Sequence, residues 1–314
     1  AVVVLLTYEL GAAANTSISG IAHGIHFKPL PYREADRLMV IWDGLEMIGV
    51  PEAWVTGPEV VALREQGRSF EGFATIRSAS ITVGGAENAE PLQVPLTLVS
   101  ANFFRILGVG PSIGRGFLAG EDAPGAPPVA VISWRLWTQR FGGDSSVIGR
   151  PAILDGVSTS IVGVLPSAFR YSAQNSLSSA AGGADVYITY PDTLARMAAN
   201  GHQLGVLARV RSDVPMRAAL DELSAIGKRV DSATYGSRGF TFKPILLQER
   251  MVRDVRPALF ALLGAVGVLM LIMCANLAVL SLVRSARRER ELSVRRAIGA
   301  SGRRISPHVL TETG

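Results

Sequence analysis

ALFALLGAVGVLMLIMCANLAVLSLV, residues 258–283, contains no charged side chain. As a helix rising about 1.5 Å per residue it reaches roughly 39 Å, against about 30 Å of bilayer hydrocarbon, so it can cross with some tilt. It runs directly into RSARRERELSVRRAIG, residues 284–299, where Arg284, Arg287, Arg288, Arg290, Arg295 and Arg296 outnumber Glu289 and Glu291. A basic flank of this kind marks the cytoplasmic side of a span. A buried helix of a water-soluble protein would be shorter and carry a polar face, which this run lacks.

The net charge of +5 is unevenly placed. Residues 28–257 carry 23 basic and 22 acidic side chains, whereas residues 284–314 carry 8 basic and 3 acidic. The basic excess is therefore a membrane-flanking tail suited to the lipid bilayer and its anionic headgroups, and no nucleic-acid face is expected. The single cysteine, Cys274, lies inside the apolar run. An intrachain disulfide or cysteine metal cluster is thus excluded, and Cys274 is expected to pack as a small apolar residue. No cleavable signal peptide is visible; the chain opens in mid-element and is expected to be a fragment.

Taken in order, residues 1–27 read as the latter part of a first transmembrane helix, with residues 11–14 small enough for close helix packing. Glu9, Asn15, His23 and His26 are polar exceptions, and Glu9 is expected to face other helices or be neutral. Lys28-Pro29-Leu30-Pro31-Tyr32 ends that helix, with the lysine and tyrosine placed for the membrane interface. Strands are expected over 37–42 and 79–83, separated by a helix over 57–67 that Pro58 starts, which makes a βαβ-like unit. A strand over 91–100, a short helix over 101–107, a strand over 129–132, a helix over 134–141 and a hairpin over 153–164 turning at Asp155-Gly156 form a second small α/β body. After a Ser/Ala/Gly-rich loop over 172–183, a strand over 204–211, a helix over 215–230 and a strand over 240–247 repeat the βαβ-like pattern. Ala218, Leu220, Leu223 and Ile226 are its expected apolar positions. The pairing implies that the outer units form one domain with the middle block inserted.

Several of these stretches resemble the MacB/FtsX-type permease family of ABC transporters, in particular its members with a large periplasmic domain. The carriers are residues 6–18 with Lys28-Pro-Leu-Pro-Tyr32, then Val99-Ser-Ala-Asn102-Phe-Phe, Gly114-Arg-Gly-Phe117, Val131-Ile-Ser-Trp134, Arg140-Phe-Gly-Gly143-Asp and Val147-Ile-Gly-Arg150. The most specific is Cys274-Ala-Asn276-Leu-Ala followed by Arg288-Glu-Arg-Glu291-Leu-Ser-Val-Arg295-Arg-Ala-Ile-Gly299-Ala-Ser301. The similarity is strongest to a subgroup with tandemly duplicated permease halves. It implies an α+β chain in which transmembrane helices flank an extracytoplasmic mixed α/β domain. The expected divisions are a first span over 1–27, a periplasmic core over 28–257 with an inserted subdomain at about 101–190, a second span over 258–283 and a cytoplasmic coupling segment over 284–314. Glu9, His23, His26 and Pro307 depart from the family pattern.

The resemblance implies a permease subunit in a bacterial inner membrane, partnered by a separate ABC ATPase and by a second permease unit or the second half of a longer chain. It places contact with the ATPase on Arg288, Glu291, Val294, Arg295, Ile298 and Gly299. Val294 and Ile298, four apart, give a helix there a short apolar face, with charge on its other sides. The plainer reading of the arginines is that they only fix topology. Asn276 is expected to make a helix-to-helix hydrogen bond worth about 0.6 kcal/mol.

No nucleotide-binding Gly-x-x-x-x-Gly-Lys-Ser/Thr loop occurs, so ATP hydrolysis is assigned to a partner and no cofactor is expected. His23, His26, His202 and His308 are scattered, with no metal site expected. A Gly-x-Ser-x-Gly elbow is missing too, so no catalytic residue is assigned. Trp134 and Trp137, three apart, are expected to anchor a helix on a sheet. The competing class is a membrane-anchored extracytoplasmic sensor or scaffold without transport activity.

Overall fold

The computed structural model describes residues 32–45, 49–84, 90–169, 171, 183–191, 201–253 and 256–297. The first span, the exit through Pro31, most of the 172–183 loop and residues 298–314 lie outside these. The chain divides into two compact units, one of them Pro29–Asp254. We call that unit the body.

The body is a mixed α/β structure around one sheet. Its strands are β1 Leu38–Leu45, β2 Val50–Ala53, β3 Phe70–Val83, β4 Leu92–Val99, β5 Ile113–Gly114, β6 Val129–Ile132, β7 Pro151–Leu154, β8 Val157–Val164, β9 Val186–Thr189, β10 Gly205–Val210 and β11 Thr241–Leu246. Its helices are α1 Gly57–Gln66, α2 Phe103–Leu107, α3 Trp134–Phe141, α4 Met216–Val230 and α5 Leu247–Arg253. The other unit contains α6, Arg256–Ala297.

At one end of the sheet the strands run β11-β1-β10-β3, each antiparallel to its neighbour. Each β-α-β unit is therefore split: β10 lies between β1 and β3, and β1 lies between β10 and β11. Strand β1 is a continuous apolar run, Leu-Met-Val-Ile-Trp, because both of its faces are covered. Leu38, Val40 and Trp42 enter a core with the aromatic residues of α2, while Met39 and Ile41 enter a second core with α1 and α4. Asp43 is the next residue on the Met39/Ile41 side and is also fully buried.

The middle strands continue this sheet. Strand β3 pairs with β10 along Phe70–Ile76 and with β4 along Ile76–Val83. From β4 the pairing passes through β9, β6 and β8 to β7, and Leu154 of β7 returns to Val83 of β3. A small ring of six strands results, and side chains two apart, such as Ile81 with Val83 and Val94 with Leu96, fill it together with Leu136 and Trp137 of α3. The hairpin turns where Asp155 and Gly156 both take positive φ, 46° and 79°, the requirement of the two-residue turn that suits strand twist. Asp155 Oδ1 then accepts from Thr82 N at 2.7 Å, which helps close the ring.

Three expectations need correction. Tyr32 is not at a membrane interface: it is 6% exposed, edge-on to Phe169, within the aromatic core, because the chain has already entered the body there. Helix α4 buries Ala219, Leu223, Ile226, Gly227 and Val230, whereas Ala218 is exposed and Leu220 is 38% exposed. Its buried stripe follows the 3.6-residue period from Ala219, which Ala218 and Leu220 flank. Of the tryptophan pair only Trp137 anchors α3, its Nε1 donating to Asp144 O at 3.0 Å; Trp134 lies against it, 4.7 Å between ring centroids, and is 36% exposed.

Candidate functional site

Strand β1 organises two clusters, one at each end. At its start the chain enters the body through Arg33 and Glu34, and Glu34 adopts a left-handed conformation, φ 41°. Beneath this loop lies Arg209 of β10, with no exposed surface. Its Nε donates to Ile106 O at 2.7 Å and its Nη2 to Leu107 O at 3.1 Å, so it satisfies carbonyls at the end of α2. Its Nη1 donates to the carbonyls of Arg33 and Glu34. One guanidinium thus ties the entry loop, α2 and β10 together; burial and the Arg33 charge push its pKa down. Gly108, at φ 70°, ends α2 and leaves room for the approach: a Cβ there would stand 2.7 Å from Arg33 Cβ.

The way out of the body is fastened to the same strand. Strand β11 leads into α5, which packs on β1, on β11 and on the 3-10 turn Ala35–Arg37. Leu247 of α5 is fully buried, and the buried guanidinium of Arg250 lies 5.3 Å from the ring centroid of Trp42. Trp42 in turn meets Trp54 at 5.0 Å. A buried arginine over an indole face is worth about 2 kcal/mol or more when desolvated. Entry and exit segments are therefore held against each other and against β1.

At the other end of β1 stand Asp43, Glu59 and His202, whose potential ligand atoms all lie within 4.8 Å of one another. Glu59 sits in the first turn of α1, where its Oε2 accepts from Thr56 N at 2.7 Å and its Oε1 from the Tyr235 hydroxyl. His202 Nδ1 is 2.7 Å from Trp54 O and 3.2 Å from Asp43 Oδ2. Burial, then the Glu59 charge and a side-chain hydrogen bond with Glu59, push the Asp43 carboxyl up to about 11. Sequence reasoning set His202 aside as one of four scattered histidines and missed Asp43 and Glu59, along with Arg209 and Arg250. Asp43 at the end of an apolar strand and the Thr56/Glu59 spacing were the available signals; the partners come from distant parts of the chain.

The residues expected to face an ATPase are placed as follows. Arg288, Glu291, Val294 and Arg295 stand on α6, in the same unbroken helix as Phe260–Ala286, the stretch long and apolar enough to cross a membrane. Ile298 and Gly299 lie outside the described residues. Asn276 and Cys274, both on α6, are exposed among the described residues.

A profile described as MacB-like periplasmic core domain matches residues 2–226. No curated protein matches. Among solved structures, the periplasmic region of MacB from Actinobacillus actinomycetemcomitans is 13% identical with a TM-score of 0.49, covering 74% of this chain and 97% of that one. A domain of a putative permease protein from Porphyromonas gingivalis is 16% identical, TM-score 0.47, covering 68% and 92%. The extracellular domain of the noncanonic ABC-type transporter YknZ from Gram-positive bacteria is 14% identical, TM-score 0.44, covering 66% and 99%. The profile match spans well over half of the chain, which belongs to the MacB-like periplasmic core domain family, the periplasmic part of inner-membrane permeases of ABC-type transporters.

Proposed function

We propose that the chain is a mechanical permease subunit: ATP hydrolysis in a separate ABC ATPase moves the cytoplasmic end of α6, and that movement reaches the extracytoplasmic body. The observation that carries this reading is the continuity of α6. Its 42 residues make a rod of roughly 63 Å, about twice the hydrocarbon thickness, so the apolar stretch and the charged segment share one axis. Displacing one end of an unbroken helix displaces the other. The fastening of entry and exit segments to β1 supports the same reading, since a body held by Arg209 and Arg250 would respond as a unit. A second permease unit, or the second half of a longer chain, completes the assembly in this reading.

Docking on the ATPase is assigned to Arg288, Glu291, Val294, Arg295, Ile298 and Gly299. Topology alone needs positive charge, whereas docking also uses the apolar pair Val294 and Ile298 and the acid Glu291. Val294→Asp with Ile298→Asp, and separately Glu291→Arg, in the full-length protein should leave membrane insertion intact. Copurification of the ATPase should fall. Normal insertion with undiminished copurification in both variants would remove this segment from the coupling path.

A further inference from the structure

The cluster of Asp43, Glu59 and His202 is unlike the rest of the body's interior. Asp43 and Glu59 both have no exposed surface, and their carboxylates approach within ligand distance of each other. Oδ1 of Asp43 is buried and meets no hydrogen-bond donor. Two buried carboxylates side by side are costly unless a positive charge or a proton lies between them. Glu59 is already held as the outer contacts of a metal ligand would hold it, by Thr56 N and by the Tyr235 hydroxyl. The loops bearing Trp54 and His202 are held in register by paired backbone bonds, Val55 N to Leu204 O at 2.8 Å and Leu204 N to Val55 O at 3.1 Å.

We propose that Asp43, Glu59 and His202 bind a first-row divalent cation of the Zn2+ class. The 3.2 Å between His202 Nδ1 and Asp43 Oδ2 is close to the edge of a coordination tetrahedron with bonds of about 2.0–2.1 Å. One imidazole and two carboxylates suit zinc better than magnesium, which prefers an all-oxygen shell. On binding, the proton shared by the two buried carboxylates leaves to solvent, and His202 gives up its Nδ1 hydrogen bond to Trp54 O and carries its proton on Nε2, so that the Nδ1 lone pair faces the metal. Entry is through His202, whose side chain is 24% exposed while Asp43 has none. Such a cation would cross-link β1, the first turn of α1 and the segment before β10.

The test is equilibrium dialysis of the full-length protein in detergent against micromolar ZnCl2 after chelation, with metal content measured by atomic spectroscopy. About one zinc per chain is expected, together with a raised melting temperature. Replacing zinc by cobalt should give visible d–d absorption of a four-coordinate site. His202→Gln and Asp43→Asn should each abolish stoichiometric binding, and Tyr235→Phe should weaken it about 10- to 100-fold by loosening Glu59. Because Asp43 is wholly buried, His202→Gln on its part-exposed segment decides the matter if Asp43→Asn does not fold. A chain that retains no zinc, or His202→Gln binding it as the unaltered protein does, would overturn the proposal and leave the two carboxylates sharing a proton.

Discussion

Replacing Arg209 by alanine removes four donations at once: to Ile106 O and Leu107 O at the end of α2, and to Arg33 O and Glu34 O in the entry loop. The bonds to Ile106 and Leu107 are fully buried, whereas those to the loop are only partly so. A buried polar group left without its partner costs about 1–3 kcal/mol, so the two interior carbonyls alone predict roughly 2–6 kcal/mol. Water can reach the loop carbonyls and should recover most of their loss. Deleting the charge itself works the other way, since burying a guanidinium has its own desolvation cost. A net loss of about 3 kcal/mol follows, a large share of the 5–15 kcal/mol typical of a domain. Arg209→Lys should fall between, because one ammonium cannot span both pairs of carbonyls. Urea denaturation of residues 28–252 at neutral pH measures this as a lower midpoint with an unchanged slope. A loss below about 1 kcal/mol in the alanine variant would refute the view that Arg209 binds the three segments together.

That experiment assumes a second expectation: residues 28–252, with their own cores and no disulfide, should be soluble from a reducing cytoplasm and melt cooperatively, whereas a broad transition would show a need for the membrane helices or a partner. In the Gly-rich passage before β6, Arg115 forms a bidentate pair with Glu121, at 2.6 and 3.0 Å. Burial raises the Glu121 pKa, but the Arg115 hydrogen bond, the Leu118 amide and the Arg115 charge together hold it below the usual carboxylate value. A lowered folded value gives stability that is present above the unfolded pKa and lost as pH falls through the folded one. Arg115→Ala should therefore melt slightly lower at pH 7, by at most about 1 kcal/mol for so exposed a pair, and match the unaltered protein at acid pH; an equal gap at both would contradict the assignment. For topology, a phosphatase fusion after Gly120 should be active and one after Arg304 inactive, and the reverse pattern would place the body in the cytoplasm.

What could be read in the sequence followed the strength of local signals. Val129–Ile132 and Trp134–Phe141 matched their expected bounds because a short apolar run and an N-capping Ser133, whose side chain accepts from Leu136 N, are self-contained. Strand β3 was expected only over its last five residues. Its first half, Phe70–Ile76, carries Glu71 and Gly72 and becomes a strand through pairing with β10, more than a hundred residues away. The same distance concealed both clusters at the ends of β1: Arg209 and His202 find their partners only when the split units interleave. The contact that folds residues 151–154 back onto β3 had no sequence signal beyond the turn at Asp155-Gly156. By contrast, a helix long and apolar enough to cross a membrane, Phe260–Ala286, stands where the second span was expected, because that signal lies in composition alone.

Transmission to the body depends on α6 acting as one rod. Three glycines inserted between Val283 and Arg284 of the full-length protein would interrupt the helix after its uncharged run while leaving the charged segment whole. Hydrogen exchange of the body, measured with the ATPase partner in the presence and absence of ATP, reads the transmitted movement. The unaltered protein should show an ATP-dependent change in exchange around Arg33–Arg37 and α5, and the insertion should abolish it while the ATPase still copurifies. An ATP-dependent change of the same size in the inserted protein would contradict transmission through α6.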